Sequence, residues 1–118
     1  MILLDTNVFI YLANGTIDAK IVQGKEIAYA SITKIEALGY IQITAVEQQY
    51  LRALLDECEQ LDLTEEVIKQ AITLRQQTKI TLGDAIIAAT ALTYELPLWT
   101  ANEADFKMLE DLQIHNPL

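Results

Sequence analysis

Three apolar runs, each too short for a helix, stop at polar residues and hand the chain to helical periodicity, and this repetition constrains the fold more than any other feature. "ILL" at 2–4 stops at Asp5, Thr6 and Asn7; "EIAYA" at 26–30 stops at Ser31; "LWT" at 98–100 gives way to Ala101 and Asn102. Such runs are short buried strands, and the first of them delivers Asp5 to its carboxyl end. Strands alternating with helices predict an α/β fold, a three-layer α/β/α sandwich around a mostly parallel central sheet.

The helical segments follow from the spacing of apolar residues. "NVFIYLANG" sets Val8, Ile10, Tyr11 and Leu12 on one side and stops at Gly15. A second short helix is expected over 17–23, and Ser31 is the expected N-cap of a helix through Ile32, Ile35 and Leu38 that carries Glu36. Helices over 45–58 and 65–78 flank a short strand in "EQLDL". "DAIIAATAL" is apolar nearly all round, as in a helix buried on most faces, and Pro97 ends it. A last helix over 103–110 and an edge strand over 112–115 complete the expectation.

At 118 residues the chain has room for one hydrophobic core, so a single domain over 1–118 is expected. No apolar run approaches the roughly 20 residues that cross a bilayer. The N-terminus also lacks the basic flank and cleavage pattern of a signal peptide, so the expected location is cytoplasmic, with no membrane partner. Cys58 is the only cysteine, has no disulfide partner and lies away from the ligands that zinc requires. With 17 acids against 8 Lys and Arg, the net charge of -9 argues against a grip on nucleic acid through broad electrostatic attraction.

Four acids stand where a strand gives way to a helix: Asp5, Glu36, Asp84 and Asp105. Each has a local explanation, because acids near helix N-termini satisfy free N–H groups and suit the dipole. Thr81 with Asp84, and Asn102 with Asp105, have the spacing of a capping box, although Asp is short for that role. Glu36 is too far inside its helix to be a cap. Together the acids mean more, since the carboxyl ends of parallel strands share one edge where ligands bind. Carboxylates gathered there repel one another unless protons or cations neutralise them, and an all-oxygen set suits Mg²⁺ or Mn²⁺. A divalent ion so held supports phosphodiester hydrolysis.

"LLDTNVFIYL", "SITKIEALGY", "ITLGDAIIAATAL" and "LWTANEADF" resemble, in order and over nearly the whole chain, the four acidic motifs of the PIN-domain ribonucleases. The closest form is the VapC toxin of toxin-antitoxin pairs. The resemblance implies an endoribonuclease dependent on Mg²⁺ or Mn²⁺, with Asp5, Glu36, Asp84 and Asp105 around the metal and Thr6, Asn7, Thr100 and Asn102 in support. It also implies a cognate antitoxin that covers the acidic cleft, and a homodimer. Two departures stand out: the chain is short between the second and third motifs, and Gly83 stands where many relatives carry proline. Neither removes a candidate ligand, so both bear on RNA selection more than on chemistry.

Lys34, Arg75, Lys79 and Lys107 are the candidates for contact with RNA phosphates, set against the ordinary reading of solvated surface cations. Arg75 and Lys79, one helical turn apart, are expected to form a small strip. His115, the only histidine, suits a strand edge better than catalysis, and Trp99 and Phe106 suit the core better than base stacking. Leu38, Tyr40, Ile41, Tyr50 and Leu54 are the candidate apolar contact surface for a dimer or an antitoxin. Two other functions remain open on the residues alone: a non-catalytic interaction module of the same fold, and a phosphoryl-transfer domain, which would want a second acid beside Asp5. Few phosphate contacts predict weak RNA binding with a shallow salt dependence. Titration of RNA affinity between about 50 and 200 mM salt checks this, and a steep loss would contradict it.

Overall fold

A computed structural model describes all 118 residues of the chain. Strand β1 (Ile2–Leu4) lies at the centre of a five-stranded, all-parallel sheet of order β3-β2-β1-β4-β5. The other strands are β2 (Ile27–Ala30), β3 (Glu59–Leu61), β4 (Leu98–Trp99) and β5 (Ile114–His115). The chain winds outward from β1 to β3 and then returns to the other side of β1 through β4 and β5. The strand order therefore reverses between β1 and β4, where the connections leave in opposite directions, the place at which ligands bind in such sheets. The expected α/β/α sandwich is the observed one, with the sheet wholly parallel.

Period-two alternation in β1 builds the layers, because Leu3 and Leu4 point to opposite faces. Leu3 joins Ala28, Ala30 and Leu98 beneath α4 (Glu65–Gln77) and α5 (Leu82–Tyr94). Leu4 joins Tyr29 beneath α1 (Thr6–Asn14), α2 (Ser31–Leu38) and α3 (Ala45–Asp56) through Val8, Phe9, Leu12, Ala37, Leu51 and Leu55. Phe9 meets Tyr29 edge to face, with ring centroids 6.0 Å apart. Helix α5 is buried through Ala85, Ile87, Ala88, Ala89, Thr90 and Ala91, as its composition requires. No helix is long and apolar enough to cross a membrane.

Several local expectations are corrected. The segment over 17–23 forms only a 3-10 turn at Ala19–Val22. Helix α2 is capped at Ala30 without a side-chain bond, because β2 pairs with β3 up to Ala30 and the chain turns directly into the helix, leaving Ser31 inside it. The last expected helix is a 3-10 turn at Glu103–Asp105. Phe106, Leu109 and Leu112 recur every third residue, and the N–H of each donates to the carbonyl three residues back. A period of three suits successive tight turns that keep these side chains on one face of the core, whereas an α-helix would rotate them away. Helix α4 ends at Gln77, so Lys79 lies in the following loop and forms no helical strip with Arg75.

Pro97 is not what stops α5. The helix ends two residues earlier in a Schellman turn, where Glu95 adopts a left-handed backbone at φ 56 and ψ 46. Its N–H donates to Leu92 O, and the Leu96 N–H donates to Ala91 O at 2.9 Å. A side chain disfavours that backbone, and glycine does not. Glu95→Gly is expected to raise stability by about 1 kcal/mol, measured by urea denaturation.

Candidate active site

Asp5 follows β1 at the point of reversal between β1 and β4 and is only 4% exposed. Its two oxygens are committed in different directions. Oδ1 accepts the Thr6 N–H at 2.8 Å, which caps α1, and Oδ2 accepts the Thr100 hydroxyl at 2.7 Å. The carboxylate that caps α1 thus also ties β1 to the residue after β4. A main-chain bond joins the same two segments, since the Asp5 N–H donates to Trp99 O at 2.9 Å. Thr100 Oγ1 in turn accepts the Asn102 N–H at 3.0 Å, and Asn7 Oδ1 accepts the Ala101 N–H at 3.4 Å. Asn102 contributes its backbone to this network, and its side chain makes no cap bond.

Glu36 projects from α2 toward the same edge. Its Oε1 accepts the Thr6 hydroxyl at 2.7 Å, and Thr6 Oγ1 also lies 3.0 Å from Thr33 Oγ1. Each hydroxyl has one proton, so the bond from Thr6 to the carboxylate leaves Thr33 as donor in the second pair. Thr33 is fully buried and is a site residue that the sequence reading missed. Its position three residues before Glu36 places it on the same face of α2, which was the available signal. Asp84 sits in the first turn of α5, which follows α4 through a loop and not, as expected, a strand, and its N–H donates to the Thr81 hydroxyl at 3.2 Å. Asp105 is exposed at the end of the last 3-10 turn, anchored by the fully buried Phe106 beside it.

The electrostatics join these acids. Burial pushes the Asp5 carboxyl up to about 6, against the opposing pull of the Thr100 and Thr6 hydrogen bonds, and the charges of Asp84 and Glu36 add to the rise. Asp84 is raised chiefly by burial, with Thr81 opposing and the charges of Asp105 and Glu36 adding. One field therefore links all four, although no three His, Cys, Asp or Glu side chains converge closely enough to hold an ion as they stand.

A PIN domain model matches residues 2–112. The chain belongs to the PIN domain family. No curated protein matches it. A chain of a toxin-antitoxin complex from Klebsiella pneumoniae superposes on this PIN domain with a TM-score of 0.84 at 29% identity, over 100% of this chain and 98% of that one. VapBC-1 from nontypeable Haemophilus influenzae gives 0.76 at 26%, over 98% of each chain. VapBC2 from Rickettsia felis, bound to a promoter DNA fragment, shares the fold at 0.83 and 24% identity over 98% of each chain.

Other candidates separate from the acids. A cavity of about 780 Å³ opens at the opposite, amino-terminal edge of the sheet of this PIN domain, between Met1, Lys20, Lys25, Glu26 and Glu59. Cys58 lines it half-buried, with its thiol pushed up to about 11 mainly by burial, so it is a poor nucleophile. His115 lies exposed on the edge strand β5, its ring 4.7 Å from that of the half-buried Trp99. Lys34, Lys79 and Lys107 are exposed, as is Arg75, whose Nη1 donates to Ile80 O at 3.3 Å.

Asp5 has a folded pKa of about 6 against an ordinary 3.8, so between those values the folded chain holds more protons than the unfolded one. Stability from this group is therefore full below the lower value and is lost as pH rises through the upper one. Asp5→Asn keeps the shape, removes the charge and leaves Thr100 a second lone pair for the new amide. In EDTA the variant is expected to lose this slope and to be about 2 kcal/mol more stable than the parent at pH 7, measured by urea denaturation across pH 4–7.

Proposed function

We propose that this PIN domain is an endoribonuclease that hydrolyses RNA phosphodiester bonds with Mg²⁺ or Mn²⁺, and that it is the cytoplasmic toxin of a type II toxin-antitoxin pair. The carrying observation is the buried Asp5 carboxyl, raised to about 6 with Glu36 and Asp84 in its field. Burying an acid among acids opposes folding, so its position favours a chemical role over a structural one. The likeness to a chain of the Klebsiella pneumoniae toxin-antitoxin complex, and to VapBC-1, supports an antitoxin partner.

The residues fit a hard divalent cation by the chemistry of their donors, which are carboxylate oxygens backed by hydroxyls and an amide. Asp5, Glu36, Asp84 and Asp105 would hold it. Asp105, exposed on a short turn, is the member whose side chain can swing toward the others. When bound, the cation supplies Lewis-acid stabilisation of phosphate oxygens and a more acidic water. The protein contributes orientation: Thr100 and the Thr6 N–H fix both oxygens of Asp5, and the Thr6 hydroxyl aims Glu36. Lys34, Lys79 and Lys107 serve flanking phosphates, and Arg75 is the weaker candidate because it already serves the loop between α4 and α5. Exposed Ile41 and Tyr50, with Leu38, Tyr40 and Leu54 beside them, are the proposed surface for the antitoxin and for a homodimer.

A non-catalytic interaction module is the second reading, favoured by the four acids' failure to converge as they stand. Cleavage of total cellular RNA by the purified chain separates the two. Cutting is expected with Mg²⁺ or Mn²⁺ and not with EDTA, and Asp5→Asn and Asp84→Asn are each expected to lower it about 100-fold or more. Cutting that survives both substitutions overturns the assignment, as does a chain that binds Mn²⁺ and RNA and cuts nothing.

A further inference from the structure

Gly83 is the second residue of α5, between the capping Thr81 and the acid Asp84. Its backbone gives no reason for a glycine, since only Gly15 and Gly24 among the glycines have positive φ. Inside a helix, glycine is also a worse choice than alanine. The reason lies in what stands beside it. A Cβ built on Gly83 would lie 2.9 Å from Glu36 Oε2, 3.7 Å from Cδ and 3.9 Å from Oε1. The carboxylate of Glu36 occupies the space of the absent side chain, pressed between Thr6 on one side and the first turn of α5 on the other.

We propose that Gly83 is a positioning residue for Glu36: its missing side chain lets the carboxylate lie against α5, and so fixes how near Glu36 stands to Asp84. Any side chain at 83 makes a contact tighter than atoms tolerate, so something gives. The yielding group is the carboxylate, because Glu36 is long, flexible and exposed, whereas the first turn of α5 continues into a buried helix. The displacement spares the fold and moves the acid. It lengthens the 2.7 Å bond from Thr6 and separates the acids of α2 and α5. A departure from the family pattern that pointed toward RNA selection thus touches an acid directly.

A structural glycine and a positioning glycine predict opposite patterns. For Gly83→Ala the melting temperature is expected to hold or rise, because alanine is the better helix former. The crystal structure of the variant is expected to show Glu36 moved off Thr6. The link to ion binding rests on the nuclease reading, under which Mn²⁺ affinity, measured by calorimetry on the whole chain, is expected to fall about 10-fold. Glu36→Asp withdraws the carboxylate by one methylene and out of reach of residue 83. In that background Gly83→Ala is expected to change Mn²⁺ affinity by less than about 2-fold.

A Glu36 carboxylate that stays on Thr6 in the Gly83→Ala crystal overturns the proposal, and so does an equal loss of affinity in both backgrounds. A lower melting temperature with Glu36 unmoved returns Gly83 to a purely structural role. If the parent chain binds no Mn²⁺, the nuclease reading falls, and the position of Glu36 in the two crystals still decides the role of Gly83.

Discussion

The bond from the Thr100 hydroxyl to the buried Asp5 carboxylate is the interaction on which the rest of this structure depends. It spans the point where the strand order reverses, and it joins the first strand to the fourth at the edge where helices begin. A carboxylate this deeply buried needs donors, and Thr100 and the Thr6 N–H supply them. Even so the burial outweighs the donors, and the group is left holding its proton more tightly than a solvated acid does. The sheet and helices around it close two apolar cores, one on each face.

Around that pair the acids differ in kind. Asp5 is fixed by two donors, Glu36 is aimed by one hydroxyl that a second buried hydroxyl supports, and Asp105 stands exposed on a short turn. The number of bonds that fix each side chain falls from Asp5 through Glu36 to Asp105. Such a gradient suits a site with one precise anchor and partners that adjust to what enters.

Much of this was legible in the sequence, for reasons that are physical. The strands announce themselves because apolar runs of three or four residues have no other use, and α5 announces itself because only a buried helix is apolar all round. Asp5, Thr6 and Thr100 were visible as polar residues placed where strands end. The misses share a cause, since each turns on tertiary partners. Whether Phe106, Leu109 and Leu112 follow a helix or tight turns depends on the surface they must cover. Thr33 reads as an ordinary helix residue until Thr6 is known to lie across from it. Gly83 reads as a change of turn chemistry until Glu36 is found against it. Nor does sequence position tell how far apart side chains stop, and the four acids share a field without meeting.

Asp5 and Thr100 are 95 residues apart, and that separation has a consequence for the order in which the protein is made. Synthesis presents the first acid early, in a central strand whose β4 neighbour does not yet exist. Until the last fifth of the chain arrives, β1 has an open edge and Asp5 lacks both its hydroxyl donor and the carbonyl of Trp99. The acid that is translated first is the last to be housed, so a ribosome-bound or truncated chain carries Asp5, Glu36 and Asp84 without the arrangement they share.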